Sequence, residues 1–243
     1  KGAIGLVSDG GGRAPRSGST AVVTSCRSIG LLVGLSLLLF VKPTSKTTNT
    51  QRQTLLVYCA AGLKTPVEAI ARKYQEEFGT EVQLQFGGSG TLLNNLKVSH
   101  RGDLFLAADS SFVAIGRSNH LLAEVLPVAR QSPVIVVPKA NPKGIATVAD
   151  LLRPGTRVAL ANPDAAAVGT LTRAALTRSG QWTALSSAAT VLKPTVGDVA
   201  NDVKLGSVDA GIVWDATVAQ YPELAAVQAP ELEGFSSDVS ICA

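Results

Sequence analysis

Methionine is absent from all 243 residues, histidine occurs twice, cysteine three times, and aromatic side chains make up only 5% of the chain. His100 and His120 sit in polar surroundings, which leaves little material for an imidazole acid–base centre. Cys26, Cys59 and Cys242 lack metal-ligand spacing. Cys59 and Cys242 either pair in an oxidising compartment or remain two buried thiols. Few aromatic faces argue against a sugar site. A basic body is missing too. Seven of the 22 Lys and Arg and one of the 18 acids fall within residues 1–53, which leaves 15 and 17 in residues 54–243, a net charge of −2. A nearly neutral body speaks against nucleic acid, which needs a basic face on the folded domain.

The basic front surrounds an uncharged apolar run, Ile29 to Val41, with Arg27 before it and Lys42 after it. A spanning helix needs about 20 apolar residues, so this run fits the core of a signal peptide. No A-x-A cleavage site follows, and an uncleaved membrane anchor is the alternative. Either way the expected location is periplasmic or extracytoplasmic. The closing "SSDVSICA" stops inside an expected strand, and position 1 is not Met; the ends read as trimmed.

From Thr54 onward, short apolar runs alternate with amphipathic stretches. "TLLVYCA" reads as a buried strand, followed by the helix "TPVEAIARKYQEEFG". Thr65 is placed to cap that helix, with Pro66 first inside it, Glu68 closing a capping box and Gly79 ending it. Val67, Ile70, Ala71, Tyr74 and Phe78 form its apolar stripe. "EVQLQF" alternates as a strand, then comes "GGSG" and the helix "TLLNNLKVS". "GDLFLAA" and "SPVIVVPK" read as strands, with Asp109 or Ser110 capping the helix between them. A second series begins after "PKANPKG": "TVADLL" helix, "TRVALAN" strand, "AAVGTLTRAALTRSG" helix, "TVGDVANDVKLG" helix, "DAGIVW" strand, "DATVAQYPEL" helix. Strands alternating with helices give an α/β fold, and the break near residues 133–144 divides it into two lobes.

Gly87-Gly88-Ser89-Gly90 is the sharpest local feature. A serine hydrolase using Ser89 would want a G-x-S-x-G elbow, but Thr91 stands where the last glycine belongs, and the two histidines follow too closely. A nucleotide loop needs Lys directly after its second glycine, and the nearest one ahead is Lys97. A glycine-rich turn opening a helix asks for less. It leaves backbone N–H groups free at the positive end of the helix, and the serine adds a neutral donor. "CAAGLKTP", "NPDAAAVGT" and "KPTVGDVAN" repeat that strand-to-helix design. Several such ends converging would hold a small tetrahedral anion.

"LLVYCAAGLKTPVEAIARKYQEEFG", "QFGGSGTLLNNL", "GDLFLAAD", "PVIVVPK" and "DAGIVW" together resemble the periplasmic molybdate/tungstate-binding proteins of ABC importers. The resemblance runs from Leu55 to Ala243. It implies a two-lobed type II periplasmic-binding fold, each lobe a mostly parallel sheet flanked by helices, with the ligand cleft between them. The expected division is a signal or anchor segment and linker at 1–53, lobe 1 at 54–132, lobe 2 at 133–224, and a return to lobe 1 at 225–243, whose last strand and helix would be missing. It also implies a monomeric binding protein without catalytic residues or a cofactor. Its partners would be a small oxyanion and importer membrane subunits. Position by position, the ligand donors fall on Gly62, Ser89, Val168, Val199 and Trp214. Two positions depart from the pattern, since Gly62 has no hydroxyl and Trp214 replaces a tyrosine. Asp198 and Asp215 are candidate carboxylates toward the bound metal centre, or helix caps. The departures widen the candidates to molybdate, tungstate, sulfate or another small anion.

Overall fold

A computed structural model describes residues 54–243. The apolar run, its expected signal or anchor role and Cys26 lie outside the described residues.

The described residues begin with β1 (Thr54–Ala60), whose last four residues are buried, and pass through a 3₁₀ turn (Ala61–Leu63) into α1 (Lys64–Phe78). Thr65 does not cap this helix. The turn starts the coil earlier, Leu63 occupies the N-cap without a side-chain bond, and Glu68 pairs with Lys64 at 3.9 Å. Gly79 ends the helix at φ 68°, a left-handed conformation that favours glycine. No α1 residue is buried. Val67, Ile70, Ala71 and Tyr74 of the expected stripe instead border an open apolar groove over the first sheet, and Phe78 is exposed.

Then follow β2 (Glu81–Gly87), α2 (Ser89–Ser99), β3 (Leu104–Ala107) and α3 (Ser110–Ser118), with Asp109 capping α3 by accepting from the Ser111 N–H at 2.8 Å. β4 (Val125–Gln131) completes this run. The first sheet has the order β2-β1-β3-β10-β4, where β10 (Ser237–Cys242) comes back from the far end of the chain.

Ser132 crosses to β5 (Pro133–Pro138), buried along most of its length. The second half adds α4 (Val148–Leu151), opened by a Thr147/Asp150 capping box, β6 (Val158–Ala161), α5 (Ala167–Arg178) and α6 (Trp182–Ala188). It continues with β7 (Val191–Lys193), α7 (Val196–Lys204), β8 (Ala210–Trp214), α8 (Asp215–Val218) and β9 (Leu224–Val227). Its sheet order is β7-β6-β8-β5-β9.

The two sheets are built alike. In each, one half is parallel (β2-β1-β3 and β7-β6-β8), while the remaining pairings are antiparallel. The sheets are therefore mixed rather than mostly parallel. Residues 225–227 also differ from expectation, because β9 pairs with β5 and keeps the chain in the second sheet. Only β10 rejoins the first. The long helix expected at "DATVAQYPEL" is the single turn α8.

Cys59 and Cys242 are both free and buried. Cys59 pairs in register with Leu106 and Cys242 with Phe105, on opposite sides of β3. One strand between them sets the cysteines roughly 10 Å apart, beyond disulfide reach. Among the described residues, no helix is long and apolar enough to cross a membrane.

Candidate functional site

In both sheets the parallel strands end on the same cleft. The turns after β1, β2 and β3 bring Ala60 to Gly62, Gly87 to Ser89, and Ala108 from the first sheet. The second contributes Ala166 to Val168, Val196 and Trp214. These turns border about 230 Å³ of atom-free space, part of it open to solvent. The lining contains no Lys, Arg, Asp, Glu or His.

Ser89 is the first residue of α2 and is 1% exposed. Its Oγ accepts from the Ala108 N–H at 3.2 Å, which fixes the oxygen and leaves the hydroxyl proton free for another acceptor. The N-cap of α2, Gly88, makes no side-chain cap, and the first turn holds no acid. The same is true of α5, whose N-cap is Ala166. The two helices therefore present positive ends without side-chain caps to one cavity, although one N–H of the α2 end, that of Gly90, is already bonded to Ala165 O. At α7, by contrast, Thr195 accepts from the Asp198 N–H at 3.2 Å and donates its hydroxyl to the Asp198 carboxylate at 2.6 Å.

The glycines around Ser89 let the lobes touch. A Cβ on Gly88 would stand 2.3 Å from the Ala165 carbonyl oxygen and 2.8 Å from that of Pro194. A Cβ on Gly90 would stand 2.9 Å from the Asp164 oxygen, and the Gly90 N–H donates to Ala165 O at 3.0 Å. On the other side, Gln220 Nε2 donates to the Gly62 carbonyl at 2.8 Å. The lobes are closed and joined backbone to backbone.

Of the five expected donors, Gly62, Ser89, Val168 and Trp214 line the cavity. Val199 does not. Its N–H is taken by Thr195 O at 3.4 Å, and its side chain packs toward Gly211 of β8. Val196, one turn earlier, lines the cavity. Asp198 is engaged by Thr195, and Asp215 accepts from the N–H groups of Ser132 at 3.1 Å and Ala216 at 2.7 Å. Both carboxylates lie outside the lining: Asp198 holds the Thr195 hydroxyl and Asp215 holds backbone. Among the described residues, no cluster of three or more His, Cys, Asp or Glu could hold a metal ion.

No catalytic serine is assembled. His100 caps the far end of α2, roughly 16 Å along the helix from Ser89 at 1.5 Å per residue. His120 follows α3 and is exposed. Lys97 sits in the last turn of α2, away from the glycine loop.

A family model described as bacterial extracellular solute-binding protein matches residues 55–240. The molybdate-binding protein ModA of Mycobacterium tuberculosis is 30% identical over 186 residues, covering 72% of this chain and 69% of its own. The periplasmic molybdate-binding protein of Azotobacter vinelandii superposes with a TM-score of 0.60 at 21% identity, covering 77% of this chain and 84% of its own. AfuA of Actinobacillus pleuropneumoniae, solved with fructose-6-phosphate bound, gives 0.67 at 14% identity, covering 78% and 73%. The two superpositions share the fold and differ in ligand, so fold alone does not choose the occupant.

Proposed function

The chain belongs to the bacterial extracellular solute-binding proteins, of the molybdate-binding type, and from that premise we propose that it captures a tetrahedral oxyanion, molybdate or tungstate, between its lobes and delivers it to an ABC importer. It is a binding protein and not an enzyme. The observation that carries the proposal is the pair of helix ends without side-chain caps, α2 and α5, which meet the Ser89 hydroxyl at a cavity without charged side chains.

Such a site offers donors and no strong acceptor. A fully ionised dianion satisfies it, whereas a protonated phosphate would leave its own O–H unpaired. The Gly62, Ser89, Val168 and Trp214 positions supply the donors in this reading, with Val196 beside them, and the protein acts as a monomer.

Calorimetric titration with molybdate, tungstate, sulfate and phosphate tests the proposal. Tight binding of the first two, with little heat from phosphate, is expected. Ser89→Ala should weaken molybdate by about 1–3 kcal/mol, roughly 5- to 150-fold. Preference for sulfate would move the assignment to that anion, and silence toward all four would end it.

A further inference from the structure

Thr217 lies in α8 and is 2% exposed, and its hydroxyl has no hydrogen-bond partner among the described residues. A helical threonine ordinarily bonds back to the carbonyl three or four residues earlier. For Thr217 those carbonyls belong to Trp214 and Val213, at the end of β8, and no such bond forms. Its Oγ1 stands 3.1 Å from the point a Cβ on Gly62 would occupy. Val196 Cγ1 is 3.0 Å and Trp214 Cδ1 3.3 Å from the same point. Gly62, Val196 and Trp214 line the cavity, and Thr217 stands directly behind Gly62 rather than in the lining itself.

We propose that Thr217 is a ligand-binding residue, its hydroxyl donating to the bound oxyanion through the gap that Gly62, lacking a side chain, leaves in the wall. The proposal rests on the oxyanion reading above. The first-lobe turn at Gly62 offers no hydroxyl of its own, and this one comes from the opposite lobe. It is delivered by the segment whose Gln220 donates to the Gly62 carbonyl, so it meets the ligand only when the lobes are closed. A buried hydroxyl without a partner destabilises the folded protein. A bound anion would supply the missing acceptor.

Thr217→Val keeps the shape and removes the hydroxyl, whereas Thr217→Ser keeps the hydroxyl. Melting of the ligand-free chain and calorimetric titration with molybdate are measured for the parent and both variants. The valine variant should melt higher than the parent yet bind molybdate about tenfold or more weakly, and the serine variant should bind within about threefold of the parent. A hydroxyl with only a packing role predicts the higher melting temperature with affinity unchanged. That result overturns the assignment and leaves the oxyanion reading standing. If valine instead lowers the melting temperature, Thr217→Ala must show the same loss of affinity, or the assignment fails. A parent chain that binds none of the four oxyanions removes both.

Discussion

Gly88→Ala separates folding from closure at a single methyl group. Gly88 has φ −67° and ψ 143°, an extended conformation open to any residue. Alanine therefore costs the open protein nothing in backbone strain, and lower unfolded-state entropy adds about 0.4–1 kcal/mol of stability. Closing the lobes is different. The new Cβ would lie 2.3 Å from Ala165 O and 2.8 Å from Pro194 O, both backbone atoms of the second lobe, where ordinary contact begins at 3.4 Å. Neither oxygen can rotate aside as a side chain would. Ala165 is held by its own turn bond to Asn162 O at 3.1 Å and by the bond it accepts from Gly90.

The lobes must then stop about 1 Å short of closure. That gap weakens the Gly90–Ala165 bond and draws the α5 donors away from a ligand held by Ser89. A neutral hydrogen bond contributes about 0.5–1.5 kcal/mol and one to a charged group about 1.5–3, so the expected loss is about 2–4 kcal/mol, roughly 30- to 700-fold in affinity. Calorimetry with molybdate measures it, and small-angle scattering should show a variant that compacts less on binding. An unchanged or raised melting temperature without ligand completes the pattern. Affinity within threefold of the parent, with normal compaction, would refute the steric argument.

Two further outcomes follow from the side-chain chemistry. The Asp209 carboxyl is held well below the usual carboxylate range, first by the hydrogen bonds of the Arg157 side chain and further by Lys143 at 3.1 Å. A carboxyl with a depressed folded value stabilises above its unfolded pKa of about 3.9 and loses that contribution as pH falls toward the folded value. Asp209→Asn should therefore lower the melting temperature at pH 7, with the gap to the parent narrowing below about pH 4; a gap that stays constant into acid would show that the ion pairs contribute nothing. Burial pushes the Cys59 thiol up to about 12 and raises Cys242 as well. Neither should react with a thiol reagent at pH 8 in the folded chain, and both should react in urea. Rapid native labelling of either, located by peptide mass mapping, would contradict the packing around it.

What could be read directly from the residues was local. The glycine turn, Ser89 and the helix after it, the Asp109 cap and the Gly79 stop each depend on neighbours in the chain, and each is where that chemistry puts it. Short edge elements were harder. β4 carries Pro127 and five exposed residues in its middle, and β7 has three residues in all; their pairing depends on distant partners more than on their own pattern. Val199 was displaced by one helical turn for a physical reason. Thr195 caps α7, so the residue immediately after the cap, Val196, faces the cleft, while Val199 must use its N–H inside the helix.

The contacts across the cleft were beyond any local pattern. Gly62 viewed along the chain is a donor position without a hydroxyl; viewed across the cleft it is where Val196, Trp214 and Thr217 of the other lobe come within 3.0–3.3 Å of the absent side chain. Positions 62 and 214, the two that depart from the expected pattern, are thus parts of one interface, since the Trp214 ring lies against the position that a first-loop side chain would fill. A serine restored at Gly62 alone would press on that ring and on Val196, and would meet the Thr217 hydroxyl rather than open cavity. Any effort to recover a hydroxyl at this turn must change position 214 together with position 62.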